Sequence, residues 1–196
     1  MQFTGPEITD QSLLKRLPTQ YANLLKQVNG FVAFRGGFHM RGICDEPEWH
    51  SLAEAWTGEN ALFKLFTAIE PEDVPFGQDC MGDQFLLREG VVHHLFSESG
   101  ELKTTGLTFE EFYEQMRADP VEFLHLEPLL QMENEGEELR PGELISAFPP
   151  FVCQESGKKV ILHPTPMQGR IKWLAKLCKQ IETLPDGAKL EIRFTE

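Results

Sequence analysis

Five acidic side chains that lie close together in the sequence have the clearest capacity for chemistry. They occupy one short stretch near the middle of the chain and the approach to it: Glu70, Glu72, Asp73, Asp79 and Asp83. Carboxylates grouped in this way could form a general acid and base pair, bind a cation, or present a negative face to a basic partner. A solvated loop is the commonest origin of such a group.

The histidines add no pattern of a metal or catalytic site. His93 and His94 are neighbours, and adjacent side chains of a strand point to opposite faces, so the pair cannot hold one ion together. The remaining histidines are scattered, and none has the His-x-x-x-His spacing of metal sites: His39, His50, His125 and His163. We therefore expect no catalytic residue, no metal and no cofactor.

The four cysteines are expected to be reduced thiols. None forms a Cys-x-x-Cys pair, and the sequence opens without a basic region followed by an apolar one, so no secretion signal is expected. Cys80 lies beside Asp79 and Asp83, whose charges would raise the pKa of its thiol and oppose a nucleophilic thiolate.

A strand, turn and strand pattern over residues 75–87 must position the acidic group. Pro75 favours extended backbone, and Asp79 and Asp83 flank a glycine in a segment typical of a turn. A second apolar run follows at residues 91–96. We predict that these runs form the middle of an antiparallel sheet, around which the preceding and following helices wrap.

Helices are predicted on both sides of this stretch. Residues 17–30 begin with Leu-Pro and end with Asn-Gly, which are start and stop signals. Residues 46–56 carry Trp49, a candidate anchor for a partner, although helical spacing favours core packing. Residues 108–111 form a capping box at the start of a further helix, and residues 121–130 are predicted to be helical.

Charge divides the chain into two unequal parts. Residues 1–130 hold 21 acidic and 9 basic side chains, whereas residues 131–196 hold 10 and 9. An acidic module repels nucleic-acid phosphates and anionic lipids but attracts a basic protein, although solubility alone could explain the charge. No run approaches the roughly 20 apolar residues that cross a bilayer. We therefore expect a cytoplasmic protein with neither a nucleic-acid nor a membrane partner.

We predict a domain over residues 1–130, an acidic linker over residues 131–140, and a C-terminal α/β appendage over residues 141–196. The linker prediction rests on its run of glutamates. Within the appendage, the patterns predict an extended segment at 148–153 and a β-α-β unit made of a strand at 159–163, a helix at 167–182 and a strand at 189–194. The predicted class is α+β, with a central, mostly antiparallel sheet packed by helices.

Several motifs, in their order and spacing, resemble the SMI1/KNR4 family of the SUKH superfamily. The first is Leu-Pro-x-x-Tyr-x-x-Leu-Leu-x-x-Val-Asn-Gly-Phe at residues 17–31. Residues 75–87 are similar to the family's central motif, residues 91–93 to its next strand, and residues 108–112 to its closing helix. The resemblance covers residues 12–126, so the C-terminal part lies outside it.

The resemblance implies an α+β fold, with a mixed or antiparallel sheet, and no established catalytic residues. Bacterial members of the family are regarded as immunity proteins that bind and neutralise toxin domains, often nucleases. Fungal members act as scaffolds in cell-wall signalling. Both roles are protein binding without chemistry.

Together, the charge and the resemblance favour a non-enzymatic protein that sequesters a basic partner, such as a toxin domain. The expected contact residues are the acidic group and one tryptophan: Glu70, Glu72, Asp73, Asp79, Asp83 and Trp49. A regulatory scaffold without a toxin partner is the alternative. A hydrolase that uses the acids and histidines is a further one.

Overall fold

A seven-stranded sheet, a two-stranded hairpin and seven α-helices make up the part of the chain that the computed structural model describes, residues 1–8, 11–157, 159–185 and 187–188. The strands are β1 (Phe3–Thr4), β2 (Phe31–Ala33), β3 (Phe38–Met40), β4 (Val74–Asp79), β5 (Gln84–Arg88), β6 (Val91–Phe96), β7 (Glu101–Thr108), β8 (Glu143–Phe148) and β9 (Ile161–Pro166). The helices are α1 (Thr19–Gln27), α2 (Leu52–Thr57), α3 (Leu62–Leu65), α4 (Phe109–Ala118), α5 (Pro120–Phe123), α6 (Glu127–Asn134) and α7 (Met167–Ile181).

The large sheet is an antiparallel meander whose strands lie in sequence order from β1 to β7. The predicted central stretch forms β4, a tight turn and β5, with β6 next in the sheet. Phe38 pairs with Asp79, and Phe85 pairs with His94, which fixes the register on both sides of the turn. The predicted α+β class, with a central antiparallel sheet packed by helices, is confirmed.

Local sequence signals define two of the helices, as predicted. Helix α1 follows Pro18 and ends earlier than the Asn-Gly signal, since Val28 after Gln27 is extended; Gly30 then adopts a φ of 70°, a left-handed conformation that glycine favours. Helix α4 opens with the capping box. The Glu111 amide donates to Thr108 Oγ1 at 3.3 Å, and the Thr108 amide donates to Glu111 Oε2 at 2.9 Å.

Aromatic side chains join α1 and α4 to one face of the sheet. Phe76 and Phe85 project from β4 and β5 toward Phe112 of α4, with ring centroids 5.5 and 4.8 Å from it. Tyr21 of α1 packs 5.4 Å from Phe109. Because all five rings are almost fully buried, they provide much of the apolar area that the first core removes from water.

The opposite face of the sheet packs against α3 and α7. Leu86 and Leu95 alternate with the residues of the first face and are fully buried in a second cluster. That cluster also contains Leu62 of α3 together with Leu174 and Cys178 of α7. Helix α7 thus covers the sheet directly.

The β8–β9 hairpin contributes to both clusters, Ile145 to the first and Leu144 to the second. The Ile145 amide also donates to the Cys80 carbonyl at 2.8 Å. The domain boundaries at 130 and 140 stay a prediction. Helix α6, however, continues to Asn134 and buries Met132, so the first residues of the predicted linker are helical.

The helix predicted over residues 46–56 is interrupted. A 3-10 turn at Glu48–His50 ends at Ser51, whose backbone is extended before α2 begins. Tertiary pairing overrides the helical pattern here, because the Gly42 amide donates to the His50 carbonyl at 3.0 Å and the Leu52 amide donates to the Gly42 carbonyl at 2.8 Å.

Three other boundaries differ from the sequence prediction. The helix predicted at 121–130 is divided into α5 and α6, because His125 adopts a φ of 52° between them. The extended segment predicted at 148–153 overlaps β8 only at Phe148, whereas the strand predicted at 159–163 overlaps β9 and the helix predicted at 167–182 is α7. The strand predicted at 189–194 lies outside the described residues. Within the described ranges, no helix is both long and apolar enough to cross a bilayer.

Candidate functional site

Asp73 is buried and fully engaged by Arg88. Its Oδ1 accepts from Arg88 Nε at 2.8 Å, and its Oδ2 accepts from Arg88 Nη2 at 2.6 Å and from the Glu70 amide at 2.8 Å. The bond to Asp73 is the main reason that the pKa of Arg88 is raised. Asp73 therefore stabilises the turn before β4, and a partner at the surface cannot reach it.

Glu70 and Glu72 are exposed, as a partner-binding role would require. Glu70 Oε1 lies 3.5 Å from Arg88 Nη1, so this arginine is shared between a buried and an exposed carboxylate. Glu89 is exposed in the turn after β5 and adds to the negative charge around Arg88. These side chains are the accessible part of the predicted acidic face.

Asp79 closes the β4–β5 turn through one carboxylate oxygen. Its Oδ1 accepts hydrogen bonds from the amides of Met81, Gly82 and Asp83 at 2.8, 2.9 and 3.0 Å. Gly82 adopts a φ of 94°, and a Cβ at this position would lie 2.9 Å from Leu174 Cδ1. Only 5% of Asp79 is exposed, so it too is removed from the accessible face.

Asp83 and His94 join Asp79 in a cluster that the sequence did not predict. Asp83 Oδ1 accepts from the Ser97 amide at 2.7 Å, and its Oδ2 lies 3.8 Å from His94 Nε2. One potential ligand atom from each of the three side chains lies within 4.8 Å of the others. The His94 ring stacks on Phe85, with centroids 4.6 Å apart, and this contact orients it.

Burial controls the protonation of this cluster. It raises the pKa of Asp83 to about 6 and that of Asp79 well above its ordinary value, where the charge of Asp83 adds to the effect. Burial also lowers the pKa of His94 to about 4, so the imidazole is neutral at neutral pH. The charge of Glu98 also raises the pKa of Asp83, whereas its hydrogen bond to the Ser97 amide and the charge of Arg170 lower it.

Cys80 follows Asp79 and is buried. Burial, and then the charge of Asp79, raise the pKa of its thiol well above the ordinary value. The thiol therefore stays protonated, as the sequence indicated, and is a poor nucleophile.

Trp49 is half-buried, and its ring packs mainly against other aromatic side chains of this chain. Its ring centroid lies 4.9 Å from Phe3, 5.2 Å from His39 and 5.5 Å from His50. The rest of the ring lines a cavity of about 210 Å³ between α2, α3 and the start of α7. Core packing, which the helical spacing favoured, accounts for most of its surface.

Arg41 also borders this cavity and is buried among neutral acceptors. Its Nη1 donates to the carbonyls of Pro75 and Gly77 at 2.9 and 3.3 Å. Its Nη2 donates to Gln78 Oε1 at 2.6 Å and to Gln84 Oε1 at 2.7 Å. Burial lowers the pKa of Arg41 to about 10, so the guanidinium remains charged at neutral pH.

His39 and His50 form a buried pair with fixed tautomers. His50 Nε2 lies 2.9 Å from the Asn29 carbonyl, which can only accept, so this nitrogen carries the proton. His50 Nδ1 must then accept from His39 Nε2, 2.9 Å away. Burial lowers the pKa of both rings, and the charge of Arg41 lowers each further. The pair is arranged as a neutral structural bridge.

A segment on α4, α5, α6 and the loop after them carries much of the net charge. Residues 109–138, here called the acidic helical segment, hold ten acidic side chains and one basic side chain, Arg117. Nine of the acids are exposed, whereas Glu133 is partly buried and pairs with Arg35 at 3.0 Å. The net charge summed over windows of 30 residues would reveal this segment. The comparison of residues 1–130 with residues 131–196 hides it, because the boundary falls inside the segment.

No family model matches the sequence, and no curated protein matches it either. The crystal structure of Atu4351 from Agrobacterium tumefaciens is similar, with a TM-score of 0.50 and 16% sequence identity over 88% of this chain and 83% of that one. At this level of identity, the similarity concerns the fold alone. The chain therefore shares the α+β architecture of Atu4351.

Proposed function

We propose that this chain is a non-enzymatic, cytoplasmic module that sequesters a basic protein, in the manner of the immunity proteins of the SMI1/KNR4 family. The partner in this proposal is a toxin domain whose working surface the module covers. The acidic helical segment carries the proposal, since it concentrates nine exposed carboxylates against one basic side chain. Glu70, Glu72 and Glu89 add a second exposed acidic group.

Carboxylates of this kind act mainly on the rate and selectivity of encounter. A surface of one sign attracts a partner of the opposite sign and accelerates association, and added salt weakens the effect. Most of the binding energy must then come from apolar groups that become buried at the centre of the interface.

The β8–β9 hairpin offers such apolar groups beside the acidic helical segment. Phe151 and Val152, in the loop of the hairpin, expose 45% and 42% of their surface, and Ile161 of β9 exposes 56%. Helix α6 packs against β9, so the hairpin that carries these side chains adjoins the acidic helical segment. Apolar groups next to a charged rim are typical of a protein-binding surface.

The state of the reactive side chains supports a role in binding over catalysis. The Cys80 thiol is held protonated, Asp73 is occupied by Arg88, and Oδ1 of Asp79 is occupied by backbone amides. His39 is buried against His50 in a neutral pair. Each of these groups has a structural task that explains its presence.

Co-expression with the protein encoded by the neighbouring gene tests the proposal. We expect that protein to inhibit growth when it is produced alone, and to be harmless when this chain is produced with it. The two proteins should purify together at low salt and separate more readily as salt rises. A toxic neighbour that this chain neither binds nor neutralises would contradict the proposal. Binding to a partner whose activity is unchanged would favour the scaffold alternative.

A further inference from the structure

We infer that Asp79, Asp83 and His94 form a binding site for a divalent transition-metal ion, of which zinc is the best match. The site lies where the β4–β5 turn meets β6, on the face of the sheet that carries Phe85. It is independent of the proposed protein-binding role.

The described hydrogen bonds of the two carboxylates leave Oδ2 of each unused. The described bonds to Asp79 all fall on Oδ1, and the bond from the Ser97 amide to Asp83 falls on Oδ1 as well. Asp83 Oδ2 is turned toward His94. Backbone amides thus orient both carboxylates, as the outer contacts of ligands do in metal sites.

His94 supplies the second argument. Its Nε2 is buried without a hydrogen-bond partner among the described residues, and the 3.8 Å to Asp83 Oδ2 is too long for a hydrogen bond. Phe85 and Phe96 enclose the ring, with centroids 4.6 and 4.2 Å away. Buried ring nitrogens normally have a partner, and a metal ion would provide one.

The distances suit a small ion after a slight contraction. Two ligands of a tetrahedral zinc, each about 2.1 Å from the metal, lie about 3.4 Å apart. Asp83 Oδ2 and His94 Nε2 are 3.8 Å apart, and the cluster as a whole lies within 4.8 Å. Side-chain rotations of Asp83 and His94 could close this difference, since the turn amides hold only one oxygen of each carboxylate.

The local charges also favour a cation. Glu98 adds a further carboxylate beside Asp83, and Arg170, the nearby buried base, is shared between Glu98, 3.4 Å away, and Asp83. His125 and Lys103 lie close enough to affect His94, but both side chains are mostly exposed, so solvent screens these interactions.

The donor set selects the class of ion. One imidazole nitrogen with two carboxylate oxygens suits zinc and the neighbouring first-row divalent ions, whereas calcium and magnesium prefer oxygen alone. Three protein ligands leave a position for water, and Asp83 also borders a cavity of about 300 Å³. Bound zinc would tie the β4–β5 turn to β6.

Zinc titration of the full chain, freed of metal by chelation, tests the inference by calorimetry and thermal unfolding. Exposed thiols also bind zinc, so the parent protein carries Cys44→Ser and Cys153→Ser, at the two partly exposed cysteines. We expect one zinc per chain and an increase in Tm of about 5 °C at a hundredfold excess over Kd, with no such response to calcium.

His94→Gln and Asp83→Asn should each weaken zinc binding by about a hundredfold or more. His93→Gln is the matched control, because its side chain lies on the other face of the same strand, opposite Leu86. Asp79 is left unchanged, since its Oδ1 holds three amides of the turn. The inference is overturned if the parent takes up no zinc, or if the two variants bind zinc as tightly as the control does. Absence of uptake together with a more stable Asp83→Asn protein would show that the cluster holds a proton instead.

Discussion

Asp73 and Arg88 form a bidentate ion pair that joins the acidic segment before β4, residues 70–73, to strand β5. The carboxylate is almost fully buried, and one of its oxygens also holds the Glu70 amide. Asp73, which the sequence analysis assigned to a partner-binding face, thus stabilises the turn that leads into β4. Removing such a group leaves a charged partner without compensation.

Asp73→Ala should lower the free energy of unfolding by about 3 kcal/mol, because Arg88 and the Glu70 amide both lose their acceptor. Urea denaturation followed by circular dichroism measures the change. Glu72→Ala, one residue away and exposed, should stay within about 0.5 kcal/mol of the parent. Equal midpoints for the two variants would show that the buried pair contributes nothing.

Leu174→Ala in α7 should destabilise the whole protein by about 2–5 kcal/mol in a single transition. Leu174 is buried in the cluster that contains Leu86 and Leu95 of the central sheet. A cavity at this position therefore removes packing contacts from the sheet as well as from α7. Lys176→Ala, exposed on the same helix, is the control. Two separate unfolding transitions, only one of them shifted, would instead support an independent C-terminal domain.

Stability should fall as the pH drops below about 6.5, in part through His39 and His50. Burial lowers the folded-state pKa of both rings from 6.5, so below that pH the unfolded chain binds more protons. Their contribution is complete above pH 6.5 and is lost progressively toward the folded-state pKa, by up to about 1.4 kcal/mol per pH unit for each ring.

Replacing His39 with Gln should therefore flatten the dependence of unfolding free energy on pH between 6.5 and 5. His163→Gln provides the comparison, since that side chain is exposed on β9. Chemical denaturation at several pH values gives the slopes. Identical slopes for the parent and both variants would contradict the assignment.

Charge reversal should separate the two acidic surfaces. The triple variant Glu110→Lys, Glu114→Lys, Glu122→Lys should slow association with the basic partner at least about tenfold at low salt, with a smaller effect at high salt. The double variant Glu70→Lys, Glu72→Lys should slow it less, because Arg88 already offsets part of that charge. Surface plasmon resonance at two salt concentrations measures both. A larger effect of the substitutions at residues 70 and 72 would show that the partner binds near these residues rather than at the acidic helical segment.

Thiol labelling should follow burial. At neutral pH, iodoacetamide should leave Cys80 and Cys178 unmodified, and Cys44 should react slowly because burial raises its pKa to about 11, which leaves about a hundredfold less thiolate than a free thiol has. Mass spectrometry before and after denaturation counts the labels. Rapid modification of native Cys80 would contradict the packing around the β4–β5 turn.

The sequence predicts those elements whose signals are local. Gly30 after α1, the Thr108 capping box and the turn residues between β4 and β5 each specify backbone geometry within a few positions. Ser51 shows the opposite case. A continuous helical pattern runs through it, but backbone pairing with Gly42 requires an extended residue there.

The candidate sites depend on register, which a single sequence does not contain. Asp79 and Asp83 are neighbours in the turn, but His94 reaches them only because it pairs with Phe85 across two strands. His39 and His50 are in contact only because the predicted helix is interrupted before α2, where the backbone pairs with the segment after β3. In both cases the residue types were visible, but the contacts required knowledge of the three-dimensional arrangement.

Arg41 sets the separation of three strands. Arg41 directly follows β3, and its guanidinium donates to carbonyls of β4 and to the side-chain oxygens of Gln78 and Gln84, so one rigid, planar group joins the end of β3 to β4 and β5. Such a spacer resists the sliding of any one strand past the others. The turn that carries Asp79 and Asp83 connects β4 and β5, the two strands that Arg41 joins. The buried arginine therefore helps to fix the position of that turn.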